Sequence, residues 1–285
     1  MNFSAGCDDM SDVFMDTERE TLMLHPLFLS SCVEVPGAFA TLYNMGLTKQ
    51  EIIQNTFVHH ITDISFERPL LANDSITSNI RLTKVLQKPS GVHTGTSFEH
   101  IDRSGKVVAR GYFGGVVLGL TNAIKATSSS KYEYQPPRVT MDLKPSLVVD
   151  LKVSPTAAHV WDACIRNPRV PKSTASDINV HTNIGLAKKA GLRACTLNGL
   201  TLLGHVVSKL MFLRCRNHPE RVTRIACRYS APVYISPGEL LSFRLHFTSR
   251  EQSDAAIYFK VMLPDGSTVL DDGLVSLGGR SGSNL

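Results

Sequence analysis

A long apolar segment lies in the second half of the chain, where residues 199–213 read GLTLLGHVVSKLMFL. In a helix of this sequence, apolar side chains stand on nearly every side, and such a helix is typically buried all round. The segments that follow alternate apolar and polar residues, which is typical of strands with one buried face. We therefore expect a buried helix wrapped by a long antiparallel sheet, an α+β arrangement.

The first half of the chain repeats this plan. Residues 98–111 (FEHIDRSGKVVARG) match residues 259–273 (FKVMLPDGSTVLDDG), and each contains a glycine turn of the kind that joins hairpin strands. A helical stretch precedes the first set of strands over residues 36–53, and Thr48 and Glu51 within it have capping-box spacing. The sequence therefore predicts two similar units, each with one central helix.

A polar, proline-bearing stretch separates the two units. It contains Thr127-Ser-Ser-Ser and Pro136-Pro137 and has no clear periodicity, so it is interpreted as a linker. We expect an N-terminal domain over residues 1–125, a linker over residues 126–145 and a C-terminal domain over residues 146–285.

The bulk composition of the 285 residues fits a globular protein, with 42% hydrophobic and 19% charged residues and a net charge of +5. The sequence contains no basic run with interleaved aromatic residues, so nucleic-acid binding is not expected. The six cysteines are scattered, as in reduced intracellular proteins. No secretory signal and no segment long enough to insert in a membrane is found, so we expect a cytoplasmic protein. The C-terminal Ser283-Asn284-Leu285 faintly resembles a peroxisomal address, which leaves that location as an alternative.

Candidate chemistry is concentrated just before the apolar segment. Asp177, Asn179 and His181 lie within five residues, a short helix is predicted over residues 183–190, and Gly191 is its expected stop. The buried helix then begins at Gly199, where free backbone N–H groups can hold a developing negative charge. An acid, a base and an oxyanion site together suit the addition or loss of water beside a thioester carbonyl.

These residues resemble the motif of the MaoC-like, R-specific enoyl-thioester hydratases and dehydratases, in their double hot-dog form. The resemblance rests on 176–179 (SDIN), His181, 187–191 (AKKAG) and Gly199, and it spans nearly the whole chain. It implies that Asp177 and His181 form a catalytic dyad without a cofactor or metal, and that the first half, which has lost the motif, helps to bind the acyl chain.

The resemblance also assigns supporting roles and contains two departures. It implies that Asn179 orients the dyad and that the Gly199 N–H binds the thioester oxygen. The family's proline after the asparagine is absent, which shortens the spacing from Asp177 to His181 by one residue, and Asn198 replaces the usual histidine before Gly199. Both departures point to an unusual substrate or to chemistry other than simple hydration.

The leading hypothesis is a hydro-lyase that dehydrates a 3-hydroxyacyl or hydrates a 2-enoyl thioester, with a polyketide intermediate of secondary metabolism or fatty acid metabolism as its setting. The alternatives are a double-bond isomerase or cyclase on a polyketide-like substrate and a non-catalytic binding subunit. The expected partner is an acyl-coenzyme A or an acyl carrier protein, and the chain is a monomer or homodimer. Lys188, Lys189 and Arg193 are candidates for binding the phosphates of that carrier.

Four further polar residues receive structural interpretations. His59 and His60 are expected to be structural or exposed, because the sequence has no third ligand at a spacing typical of a metal site. His205 lies within the apolar helix and is expected to be a core histidine with its hydrogen bonds satisfied. Asp162, which follows the single tryptophan, is expected to be a surface or capping residue.

Overall fold

A computed structural model describes most of the chain. The described residues are 2–54, 57–120, 127–128, 147–165, 179–216, 218–249 and 256–278. Asp177 and Ser283-Asn284-Leu285 lie outside the described residues, and so does the predicted linker except for residues 127–128.

The described helices fall into two groups, one before the first set of strands and one between the two sets of strands. They are α1 (Asn2–Gly6), α2 (Asp12–Met15), α3 (Val35–Asn44), α4 (Lys49–Gln54), α5 (Ala157–Ile165), α6 (Ile184–Lys189) and α7 (Gly199–Leu210). A π-helical turn at Ser30–Glu34 leads into α3, another at Met211–Cys215 extends α7, and a 3₁₀ turn covers Pro219–Arg221.

The helix expected over residues 36–53 is interrupted. It ends at Asn44, because Gly46 adopts a φ of +84°, and the chain resumes a helical course at Lys49. The predicted capping box is present: the Thr48 N–H donates to Glu51 Oε2 at 2.8 Å, and the Glu51 N–H donates to Thr48 Oγ1 at 3.2 Å. The reciprocal bonds explain why a separate helix begins here.

The described strands form one antiparallel sheet that contains both halves of the chain. They are β1 (Phe57–Phe66), β2 (Ile76–Lys88), β3 (Gly91–Asp102), β4 (Val107–Leu118), β5 (Thr127–Ser128), β6 (Leu147–Val153), β7 (Val222–Tyr229), β8 (Leu241–Ser249), β9 (Ala256–Met262) and β10 (Thr268–Leu277). Their order is β5-β2-β3-β4-β1-β7-β10-β9-β8-β6. The predicted glycine turns join β3 to β4 and β9 to β10, with φ of +81° at Gly105 and +89° at Gly266.

The pairing of β1 with β7 joins the two halves. Thr62 lies opposite Cys227 and Asp63 opposite Ala226 in this register. Asp63 also accepts two hydrogen bonds from the Arg224 guanidinium, at 3.0 and 2.6 Å. The middle of β1 and the end of β7 are thereby held side by side.

The apolar segment forms the predicted buried helix. Ten of the twelve residues of α7 are buried, including Leu200, Leu203, Val206 and Leu210. His205 is buried there and its Nδ1 donates to the Thr201 carbonyl oxygen at 2.9 Å, so the core-histidine interpretation is correct. The buried helix predicted for the second half is therefore observed, and the sheet is one that both halves share.

The N-terminal residues pack against the second half. Val160 of α5 lies so close to Gly6 that a Cβ on this glycine would be 2.9 Å from the valine Cγ1. The Cys7 thiol is buried against Gly204 of α7, which explains the glycine within that helix as a close packing contact. Helix α1 and the cysteine after it therefore contact helices that follow them by about 150 to 200 residues in the sequence.

A buried polar chain lies inside the first half. His100 of β3 and Glu34 of the π-helical turn are both fully buried, and His100 Nε2 lies 3.0 Å from Glu34 Oε1. The other ring nitrogen of His100 lies 2.8 Å from Ser78 Oγ on β2. Gly111 of β4 faces the same carboxylate, because a Cβ at this position would collide with Glu34.

Candidate active site

Two asparagine caps shape the segment from Asn179 to Gly199. Asn183 caps the short helix α6, its side chain accepting from the Leu186 N–H at 3.1 Å, and Gly191 ends the turn with a φ of +76°. Asn198 caps α7 in the same way, accepting from the Leu200 N–H at 2.8 Å. Asparagine is among the residues preferred at this position, so its presence here has a local explanation.

Hydrogen bonding at Nδ1 fixes the orientation of the His181 ring. Its Nδ1 lies 2.9 Å from the Thr196 carbonyl oxygen and 3.1 Å from Thr196 Oγ1. A carbonyl oxygen can only accept, so Nδ1 carries the hydrogen and the lone pair of the neutral ring is on Nε2. Among the described residues, none hydrogen-bonds to Nε2. Burial lowers the pKa of His181, against smaller opposing effects of the Thr196 hydrogen bond and the Asp162 charge.

Asn179 connects His181 to a buried acid. Its side-chain oxygen accepts from the His181 backbone N–H at 2.8 Å, and its amide nitrogen donates to Asp162 Oδ1. The prediction that Asp162 is a surface or capping residue is wrong: its exposed fraction is 3%. Helix α5 buries it beside Trp161, whose ring meets the His181 ring edge to face at 6.1 Å. Spacing alone did not reveal this partner because α5 and Asn179 meet only in the folded chain.

Gly199 begins α7 against an aromatic ring. A Cβ at this position would lie 2.5 Å from Cδ1 of Tyr229, so the tyrosine packs where only a glycine fits. Within the described residues, no acceptor is found for the Gly199 N–H, whereas the next N–H is capped by Asn198. The start of α7 therefore has a free donor at its positive end.

These residues line one cavity of about 360 Å³. The second half contributes His181, Asn179, Asn198 and Gly199, and the first half contributes an aromatic wall. That wall is a row of four rings: Phe39 meets Phe57 at 5.0 Å, Phe57 stacks on Phe113 at 5.8 Å, and Phe113 stacks on His59 at 3.9 Å. Both halves are needed to enclose the cavity.

The sequence left two interpretations of His59, a structural or an exposed residue, and the exposed one is excluded because the side chain is half-buried. It lines the cavity, and burial lowers its pKa to about 3, with smaller effects that include the charge of His181. No signal in the sequence singled it out from His60, which lies outside the lining. In the described part of the chain, no three His, Cys, Asp or Glu side chains are grouped to hold a metal.

The predicted phosphate-binding residues lie beside the cavity. Lys188 and Lys189 are exposed in the last turn of α6, and Leu186 and Ala190 of the same segment line the cavity. The Arg193 guanidinium stacks over the Tyr234 ring at 4.2 Å. Asp177 lies outside the described residues, so its place in the dyad stays a prediction. No helix within the described ranges is long and apolar enough to cross a membrane.

Comparison with known proteins identifies the fold. No protein-family model matches the chain, and no curated protein matches it. A MaoC-like dehydratase from Phytophthora capsici superimposes with a TM-score of 0.75 at 18% identity, over 98% of this chain and 92% of the other.

Two further solved structures are similar. The full-length peroxisomal multifunctional enzyme type 2 from Drosophila melanogaster gives a TM-score of 0.70 at 18% identity, over 97% of this chain and 46% of that enzyme. A Mycobacterium tuberculosis protein described as having a double hotdog fold gives 0.58 at 13% identity, over 97% and 90% of the two chains. An acyl-ACP thioesterase from Bacteroides thetaiotaomicron is among the matches as well, with a TM-score of 0.54 at 13% identity over 90% of this chain and 96% of the other. The double hot-dog fold predicted from the sequence is confirmed.

Proposed function

We propose that this chain, which has the double hot-dog fold of MaoC-like dehydratases, is a cofactor-free hydro-lyase acting on a 3-hydroxyacyl or 2-enoyl thioester. One observation carries the proposal. The neutral His181 ring, fixed through Nδ1 to Thr196, lines the same cavity as Gly199, and among the described residues neither Nε2 of this ring nor the Gly199 N–H has a hydrogen-bond partner. A base and an oxyanion donor at one apolar cavity are the two fixed parts that this reaction needs.

In the hydration direction, His181 Nε2 removes a proton from water as the water oxygen bonds to C3 of the enoyl thioester. The C2–C3 π electrons move to the thioester carbonyl, and the resulting enolate oxygen accepts from the Gly199 N–H. The carbonyl re-forms as C2 takes a proton, for which Asp177 is our proposed donor. Dehydration is the reverse sequence, with the proton on His181 leaving with the departing hydroxyl as water.

Absorbance of the conjugated enoyl group tests the reaction directly. Mixing the protein with 2-enoyl coenzyme A thioesters of short and medium chain length should remove the enoyl absorbance and yield a product that has gained one water. Release of free thiol at the same rate would instead indicate thioester hydrolysis, the chemistry of the thioesterases that share this fold. Absence of both changes on coenzyme A and carrier-protein thioesters would contradict the proposal.

The pH dependence should reflect the lowered pKa of His181. A base with a pKa below 6.5 stays neutral as the pH falls through 6.5, so kcat/KM for hydration should not decline there. We expect a flat profile down to about pH 6.5 and an acidic limb centred below that value, measured with initial rates in constant-ionic-strength buffers. An acidic limb centred at or above pH 6.5 would contradict this assignment of the base.

Gly199→Ala should impair catalysis more than stability. The added Cβ meets the Tyr229 ring and forces the ring or the helix start to move, which misplaces the N–H proposed to hold the enolate oxygen. Removal of one oxyanion donor costs about 10²–10³-fold in kcat. Gly185→Ala, at an exposed glycine of α6, is the matched control and should retain the wild-type rate.

A second candidate is a shift of the substrate double bond. His59 is a second neutral imidazole that lines the same cavity as His181, so two candidate bases belong to one site. Such a pair could remove a proton from one carbon and return it to another. The product would then have the mass of the substrate, which mass spectrometry separates from a hydrated product.

The carrier and the cellular location remain proposals. Lys188, Lys189 and Arg193 are our candidates for the phosphates of coenzyme A or of a carrier protein, because they lie on or beside the segment that lines the cavity. We retain a cytoplasmic location, with the peroxisome as the alternative from Ser283-Asn284-Leu285.

A further inference from the structure

A chain of hydrogen bonds crosses from the first half to the second beside the cavity. His59 Nε2 lies 3.0 Å from the Ile61 carbonyl oxygen and 3.0 Å from Thr62 Oγ1. Thr62 Oγ1 lies 2.9 Å from the hydroxyl oxygen of Tyr229. The chain thus runs from β1 to the end of β7, and its two end residues line the cavity.

The chemistry of the partners fixes every hydrogen in this chain. The Ile61 carbonyl can only accept, so His59 Nε2 carries the ring hydrogen and Nδ1 has the lone pair. Thr62 Oγ1 accepts from Nε2, and Thr62 is buried, so its own hydrogen goes to the one remaining acceptor among the described residues, the Tyr229 oxygen. Tyr229 must then direct its hydrogen away from Thr62.

Two groups with free hydrogen-bonding capacity therefore belong to cavity-lining rings. Within the described part of the chain, His59 Nδ1 has no hydrogen-bond donor and the Tyr229 O–H has no acceptor. The two ring centroids are 4.5 Å apart. Burial raises the pKa of Tyr229 well above its usual value and lowers that of His59, so both rings are neutral near pH 7. One acceptor and one donor on neighbouring rings match a hydroxyl group, which both donates and accepts.

The pair is distinct from the groups proposed for hydration but adjoins them, because the Tyr229 ring packs against Gly199 and His59 lines the same cavity as His181. His59 ends the aromatic row formed with Phe39, Phe57 and Phe113, which is otherwise an apolar wall suited to an acyl chain. An unbranched alkyl chain along that wall would leave both groups unsatisfied in an apolar cavity, which is costly. A keto group would satisfy Tyr229 alone.

We propose that His59 and Tyr229 form a specificity site for a hydroxyl group on the acyl chain, beyond C3, so that the preferred substrate is a hydroxylated acyl thioester. This proposal rests on the proposed function for the nature of the ligand. The hydroxyl accepts from Tyr229 and donates to His59 Nδ1. Thr62, which does not line the cavity, is a positioning residue that sets the direction of the Tyr229 hydrogen.

The test measures binding without turnover. Acyl-pantetheine amides with saturated chains, either unsubstituted or with a hydroxyl at C4, C5 or C6, are titrated calorimetrically into the wild-type protein. One hydroxylated analogue should bind about 10–100-fold more tightly than the unsubstituted one, the ratio expected when buried hydrogen-bonding groups would otherwise be left unpaired. Equal affinity for all four analogues would overturn the proposal, whether or not the protein is a hydro-lyase.

Matched variants assign the preference to these residues. Tyr229→Phe and His59→Phe keep an aromatic ring and should reduce the preference for the hydroxylated analogue to within about 3-fold of unity, with the affinity for the unsubstituted analogue as the check of folding. Thr62→Val should reduce the preference partly. His93→Phe, at a histidine outside the lining, is the control and should retain it. Full preference in Tyr229→Phe would overturn the assignment even if one of the other variants failed to fold.

Discussion

His181→Gln is expected to lower kcat/KM for hydration of a 2-enoyl thioester by about 10²–10⁴-fold, the usual contribution of a positioned general base. The variant keeps a polar side chain at the site but has no basic nitrogen in place of Nε2. The fold should be preserved, because the segment is still held by the Asn183 and Asn198 caps and by the bond from the His181 backbone N–H to Asn179. Initial rates and circular dichroism measure the two effects separately.

The control for this variant is His159→Gln. His159 is an exposed histidine on α5, in the element that also carries Trp161 and Asp162, and its replacement should leave the rate unchanged. Asp177→Asn should lower the rate by a comparable factor if the dyad forms as the sequence predicts. Near-wild-type activity in His181→Gln would remove this residue from the mechanism and favour another base, of which His59 is the first to consider.

His100→Leu is expected to destabilise the protein by about 3–5 kcal/mol, which is typical when one partner of a buried charged or hydrogen-bonded pair is removed. The Glu34 carboxylate would then be buried without its imidazole partner, and Gly111 leaves it no room to move toward β4. Chemical denaturation with urea, followed by circular dichroism, gives the free energy of unfolding.

A double variant distinguishes the lost pairing from lost packing. Glu34→Leu combined with His100→Leu removes the unpaired carboxylate and should recover part of the stability lost in His100→Leu alone, since apolar replacement of a buried pair is often nearly neutral. His93→Leu, on the same strand but only half-buried, should change the free energy of unfolding by less than about 1 kcal/mol. A loss in the double variant as large as the sum of the two single losses would contradict the pairing argument.

Local sequence patterns predicted the helix and the turns whose formation depends on neighbouring residues alone. Helix α7 was predicted because its apolar residues cover every side of the helix, and the hairpin turns because Gly105 and Gly266 permit a positive φ. The stop at Gly191 follows the same reasoning. The long first helix was wrong at Gly46, where the same permissiveness ends the helix within a segment that otherwise has a helical pattern.

Such local patterns did not predict which residues line the cavity. His59 and Tyr229 are 170 residues apart in sequence, and only the β1–β7 register brings them together. Asp162 reaches Asn179 only because α5 packs beside the capped segment. These contacts depend on tertiary pairing between elements whose individual patterns are ordinary, so a single sequence does not reveal them. The departure at Asn198 was visible, and the capping bond to Leu200 gives its structural reason.

The contact of α1 with α5 and α7 has a consequence for how the protein is made. Ribosomes extend a chain by about 5–20 residues per second, so Val160 is synthesised about 8–30 s after Gly6, the residue it packs against. Until then the Cys7 thiol and the side of α1 that meets Val160 have no partner surface to cover them. The residues around Cys7 are therefore synthesised well before the surface that covers them, and the nascent chain exposes a thiol that the finished protein buries.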